Sequence, residues 1–117
     1  MATESDHRQK AEHNQRFLAT IDAKEFPDWK VTVSFYRAIH LVEMVFARNG
    51  NHSKHHRGRH DELKRTYPSI WRHYRPLYEQ ARNARYKARP ISQQTVHYVA
   101  GRLAAVEQEV ATLIGVT

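Results

Sequence analysis

The 117-residue chain has no cysteine. That excludes a disulfide framework, thiolate chemistry and any metal centre built on thiols. Glycine and proline are scarce, with four of each, so the many tight turns of an all-β architecture have little to be built from. No apolar run approaches the ~20 residues that cross a bilayer, and the polar N-terminal segment has no signal-peptide core. The expectation is a cytoplasmic protein with no membrane contact. Acidic residues are also in short supply: 12 Asp and Glu stand against 19 Lys and Arg, a net charge of +7.

What is present in excess favours polyanions: RNA or other nucleic acid first, an anionic surface or acidic protein after it. The excess lies in the middle of the chain. From Arg48 to Arg65 six basic residues (48, 54, 57, 59, 64, 65) face only Asp61 and Glu62, and from Arg72 to Arg89 six more (72, 75, 82, 85, 87, 89) face only Glu79. At this length, with 40% hydrophobic residues, the chain reads as one globular domain over 1–117, large enough for a single core. Residues 1–5 read as frayed.

Hydrophobic periodicity predicts helices throughout. A first runs from about Asp6 to Ala23, with Asp6 as N-cap and Gln9 three residues on, and Phe17, Leu18 and Ile21 on one face. Phe26-Pro27-Asp28 restarts the chain. From Trp29 to Ala47 one stripe holds Trp29, Val33, Tyr36, His40 and Met44, and another holds Val31, Phe35, Ile39, Val42 and Phe46. Apolar character on most sides marks a central helix, ended by Asn49-Gly50. A short helix covers about Arg59 to Arg65. Another follows from Ser69 to Lys87, where Pro76 should kink or divide it. Ser92 caps the last, in which Val96, Val99, Leu103, Val106, Val110 and Leu113 alternate spacings of three and four, suiting a bundle or dimer seam. The fold class is all-α: an antiparallel four-helix bundle with a short helical insertion between helices 2 and 3.

The segment Arg48 to His60 gathers four of the nine histidines among four cations. Histidine exchanges a proton near neutral pH, and arginine grips phosphate through a planar fork of donors. Arg48-Asn49, followed six residues after Asn49 by a loop histidine at His55, has the form of the motif of the HEPN superfamily of small helical bundles. Arg8 and His13 have a similar spacing but fall inside the first helix. The stretch from Phe26 to Ala47 resembles the second helix of stand-alone bacterial HEPN-like proteins. Ala11 to Asn14 and Ala81 to Tyr86 resemble their first and third helices, so the likeness spans roughly 8–110.

The resemblance implies an RNA-cleaving enzyme without metal or other cofactor, often a homodimer with motifs from two protomers facing one cleft. In such an enzyme His55 or His56 moves the proton of the 2′-hydroxyl or of the leaving oxygen. Arg48 stabilises charge on the phosphate and Asn49 orients either group. Tyr36 and His40 stand behind the loop, while Lys54, Arg57, Arg59, Arg82 and Arg85 hold the RNA backbone. Two other classes stay open. One is a non-catalytic interaction module, such as the partner of an antitoxin or a subunit of a defence or regulatory complex. The other is a histidine-rich metal-binding protein using His52 and His56, with Asp61 or Glu62. Trp29, Trp71, Tyr74 and Tyr78 read as core, and His40 as a satisfied core histidine beside Glu43.

Overall fold

The computed structural model describes residues 2–52 and 55–115. Within them five helices follow one another: α1 (Glu4–Thr20), α2 (Pro27–Arg48), α3 (His56–Thr66), α4 (Pro68–Tyr86) and α5 (Gln93–Ile114). There is no strand among the described residues. Helix α2 is the hub. It packs against α1, α4 and α5, while α4 also packs on α5 and α3 leans on α4. The reason is in its side chains: Val31, Val33, Phe35, Ala38, Val42, Met44, Val45 and Phe46 are all buried, covering most of its circumference.

The helix ends show how local chemistry sets the boundaries. The N-cap of α1 is Thr3, three residues before the expected Asp6, because Thr3 and Asp6 form a capping box: the Asp6 amide donates to Thr3 Oγ1 at 3.1 Å and the Thr3 amide to Asp6 Oδ2 at 2.8 Å. Two orphan donors are satisfied reciprocally, and residues 4 and 5 are helical rather than frayed. The helix stops at Thr20, not Ala23, where Ile21 turns extended and Asp22 Oδ1 accepts from the amides of Lys24 and Glu25. Pro27 opens α2, and Gly50, at φ +79°, follows its end as expected.

Helix α3 begins well before the expected Arg59. The His55 ring is its cap, with Nδ1 accepting from the Gly58 amide at 3.1 Å. Helix α4 runs through Pro76 unbroken. The ring deprives only the Arg72 carbonyl of its donor, and Arg72 is exposed, while buried Ile70, Tyr74, Leu77 and Ala81 hold the helix on both sides of the proline. In α5 the buried stripe ends at Ile114 rather than Leu113, which is 47% exposed. A straight helix repeats every 3.6 residues, so a strict 3-4 alternation drifts around it and the last step becomes four.

The aromatic core is smaller than expected. Tyr74 is wholly buried and Trp71 and Tyr78 partly so, but Trp29 is 53% exposed. It lies with Phe17, Ile21 and Phe26 around an open concavity of about 430 Å³ where α1 ends and α2 begins. Trp29 stands in the first turn of α2, beyond the reach of the helices that cover the rest of it.

Candidate functional site

Arg48 lies at the end of α2 with its Nη1 donating to the Ile114 carbonyl at 2.6 Å, and it stands 3.8 Å from a Glu4 carboxylate oxygen. A guanidinium there satisfies an orphan carbonyl and the negative end of α5. Asn49 Nδ2 donates to the Val45 carbonyl and, at 2.6 Å, to the Tyr67 hydroxyl. His55 is committed to capping α3. Arg48 and Asn49 are therefore engaged in joining elements of the fold and His55 in capping its own helix, and among the described residues Arg48 and His55 have no partner in common. Lys54 lies outside the described residues. Arg57 and Arg82 are exposed and make no ion pair among the described residues.

A different set converges where α3 meets α2 and α4. Glu43 and Arg59 are both buried, and Arg59 Nε donates to Glu43 Oε1 at 2.9 Å. Arg59, expected on the RNA, is thus an internal cation. Its Nη1 lies 3.1 Å from His56 Nδ1. A guanidinium has only donors, so Nδ1 must be the acceptor and the His56 proton sits on Nε2. The His56 ring packs against Phe35 at 5.8 Å and edge-on to Tyr78 at 5.3 Å. Desolvation, followed by the charges of Arg59, Arg85 and His55, holds its pKa below the usual histidine range.

Arg85 is the notable cation of this region. Its guanidinium lies 5.9 Å from the Phe35 ring, 6.0 Å from Tyr36 and 5.4 Å from Tyr86. Among the described residues the buried Nη1 has no hydrogen-bond partner, and no carboxylate stands within ion-pair distance. Aromatic faces hold the charge without neutralising it. Tyr36, on α2, therefore meets Arg85 rather than a loop histidine. On the neighbouring helix, Tyr78, Arg82 and Tyr86 recur at four-residue steps and line an open groove of about 600 Å³ with Glu79, Asn83 and Lys87.

His40, on the other flank of Glu43, is paired by α1: His7 Nδ1 and His40 Nδ1 are 3.0 Å apart with the rings stacked. One ring donates and the other accepts, so both cannot be charged together. Burial, then His7, Lys10 and Arg59, brings His40 to about 4. His60 is enclosed by Trp71, Tyr74 and Tyr78, and burial, helped by His56, Arg59 and Lys64, also brings it to about 4. Tyr74 is pushed up by burial; its hydroxyl lies beside Arg59 without a hydrogen bond of regular geometry.

These shifts carry a sign. A histidine whose folded pKa is depressed stabilises the fold above its unfolded value, ~6.5, and that contribution is lost as pH falls toward the folded value. Lowering pH from 7 to 4.5 should therefore cost about 2–4 kcal/mol after screening of the partly exposed rings is allowed for. Thermal melts across this range check it, and His60→Leu should flatten the slope. A melting temperature unchanged from pH 7 to 4.5 would show the rings to be solvated.

The sequence offered one signal for this cluster that periodicity alone does not use. Glu43 is the lone carboxylate in the apolar run from Ala38 to Ala47, and a carboxylate so placed requires a cation. No group of three or more histidine and carboxylate side chains is placed to hold a metal among the described residues. No helix among them is long and apolar enough to cross a membrane. Fold and site together define a basic all-helical protein with a cation–aromatic surface beside a buried ion pair. No protein-family model matches the chain, nor does any curated protein or solved structure.

Proposed function

We propose that this is an RNA-binding HEPN-like protein, an antiparallel four-helix bundle with α3 as its insertion. The RNA backbone lies across the α3–α4 side of the molecule. One observation carries the reading: Arg85 is a half-buried cation held on aromatic faces, with no carboxylate at ion-pair distance among the described residues. A phosphate supplies what it lacks. Exposed Arg82 and the His56 Nε2–H are the neighbouring donors, and the net charge of +7 brings polyanions to the surface.

RNA cleavage through Arg48 and a loop histidine remains the further step that the HEPN likeness implies. The binding reading stands without it, because Arg48 is occupied in joining helices, His55 in capping α3, and His56 belongs to the Arg59 side. The geometry thus favours a binding module, homodimeric or attached to a larger complex, over an enzyme.

Titration of labelled RNA tests this. Affinity should fall steeply with salt, and Arg85→Gln should weaken binding by roughly 5- to 20-fold while removing about one unit from the salt slope. Salt-independent binding, or an Arg85→Gln variant that binds like wild type, would overturn the reading. Incubating the same RNA in chelator tests cleavage: cyclic-phosphate products that vanish with Arg48→Ala would make the protein an enzyme, and intact RNA would leave it a binding module.

A further inference from the structure

Two tyrosines flank Arg85, and both are open to solvent: Tyr36 is 39% and Tyr86 76% exposed. Most tyrosines in this fold are used otherwise. Tyr74 is buried, Tyr67 receives the Asn49 hydrogen bond, and Tyr78 is wedged edge-on against His56 and His60. Tyr98 is exposed and has a guanidinium, Arg102, at 5.2 Å, but that cation already meets His73 Nδ1 at 2.9 Å. Only around Arg85 does an uncommitted cation combine with two open aromatic rings among the described residues.

The surface continues from there. Along α4, Arg82 separates Tyr78 from Tyr86 on one stripe, and Lys87 and Asn83 complete the groove wall. A backbone-binding patch needs cations alone. An exposed aromatic beside each cation adds nothing to phosphate affinity, whereas it does add affinity for the flat face of a base attached to that phosphate. In a duplex the base faces are already stacked on one another, so only unpaired nucleotides can offer them.

The geometry points to a base-stacking subsite: Tyr86, with Tyr36 across Arg85, takes unpaired bases of a single-stranded nucleic acid whose phosphate sits on Arg85. This rests on the polyanion reading above and narrows it to the strandedness of the ligand. Selection among the four bases is weak, because every base has a π-face. Tyr78 is not a platform; its ring is occupied by the histidines.

The full-length protein is titrated with three probes: a single-stranded oligonucleotide, a duplex of equal length, and heparin, a polyanion without bases. The single strand should bind more tightly than the duplex. Tyr86→Ala should weaken single-strand binding by roughly tenfold, leave heparin binding and the salt slope unchanged, and be rescued by Tyr86→Trp. Tyr36→Ala should act in the same direction. Tyr86 is too exposed for its loss to unfold the protein, and a matching melting temperature verifies that. Equal affinity for single strand and duplex, or wild-type single-strand binding by both alanine variants, would overturn the stacking subsite. So would an equal loss toward heparin. In those cases Arg85→Gln still weakening all three probes would leave the polyanion reading intact. Binding to none of the three would remove that reading as well, and the subsite with it.

Discussion

Replacing Arg59 by alanine is expected to destabilise the protein by about 3–5 kcal/mol, a fall of more than ~10 °C in melting temperature. Arg59 and Glu43 expose only 10% and 5% of their side chains. Taking two charges out of water is costly, and their mutual attraction at 2.9 Å offsets that cost only while both are present. The variant leaves a buried carboxylate without its guanidinium and takes the donor from His56 Nδ1. Replacing both partners, as Arg59→Met with Glu43→Gln, should recover most of the loss, because no charge then has to be buried. Denaturant unfolding measures both variants. A single-variant loss below about 1 kcal/mol, the ordinary value of an exposed pair, would show that water reaches the site.

Val106→Asp is expected to cost a similar amount, of order 3–5 kcal/mol, through an unpaired carboxylate in the interior. Val106 is fully buried on α5, at the middle of the stripe from Val96 to Ile114. Leu113→Asp is the matched control. The 3-4 alternation puts Leu113 in the core, but it is 47% exposed, and an exposed substitution of this kind should change stability by about 0.5 kcal/mol or less. If Leu113→Asp proved the worse of the two, the register assigned to α5 would be wrong.

These two positions mark the difference between what could and could not be read in advance. Val106 was legible because helical periodicity is a local property: the spacing of valines and leucines along twenty residues names the buried face without knowing what covers it. The same holds for Pro27 at the start of α2, Gly50 after it and Ser92 at the start of α5, since caps and turns are settled by a few neighbouring residues. Reading failed locally at several helix boundaries and at Pro76, which α4 runs through unbroken. Thr3 and Asp6 formed a capping box a turn earlier than Asp6 alone would have allowed, and a histidine supplied the cap of α3.

Arg59 was not legible in that way. In sequence it is one basic residue among the six from Arg48 to Arg65, at the expected start of a short helix, and its residue type does not distinguish it from Arg57 two positions earlier. The two differ in structure because residues two apart in a helix lie on different faces. Arg57 is exposed, whereas Arg59 turns toward α2 and meets Glu43 sixteen residues away. Arg48 departed from its expected place for the same reason, whereas Arg85 stayed with the cations expected to face the RNA. Arg48 stood beside the loop histidines in sequence, but it lies five positions beyond Glu43, about 140° around α2, and is tied to Ile114 of α5 and Glu4 of α1. Arg85, thirty-seven residues further on, comes back to Phe35 and Tyr36.

The sequence by itself determined the helical class, the buried stripes, the caps at Pro27, Gly50 and Ser92, and the positive charge, because each depends on composition or on spacing within a few turns. Which cations are paired inside the molecule and which have no carboxylate beside them among the described residues was decided only by the tertiary structure. That allocation depends on which helix faces meet. Glu43 takes Arg59, the end of α5 takes Arg48, and Arg85, set among aromatic rings that carry no opposite charge, has no carboxylate partner among the described residues.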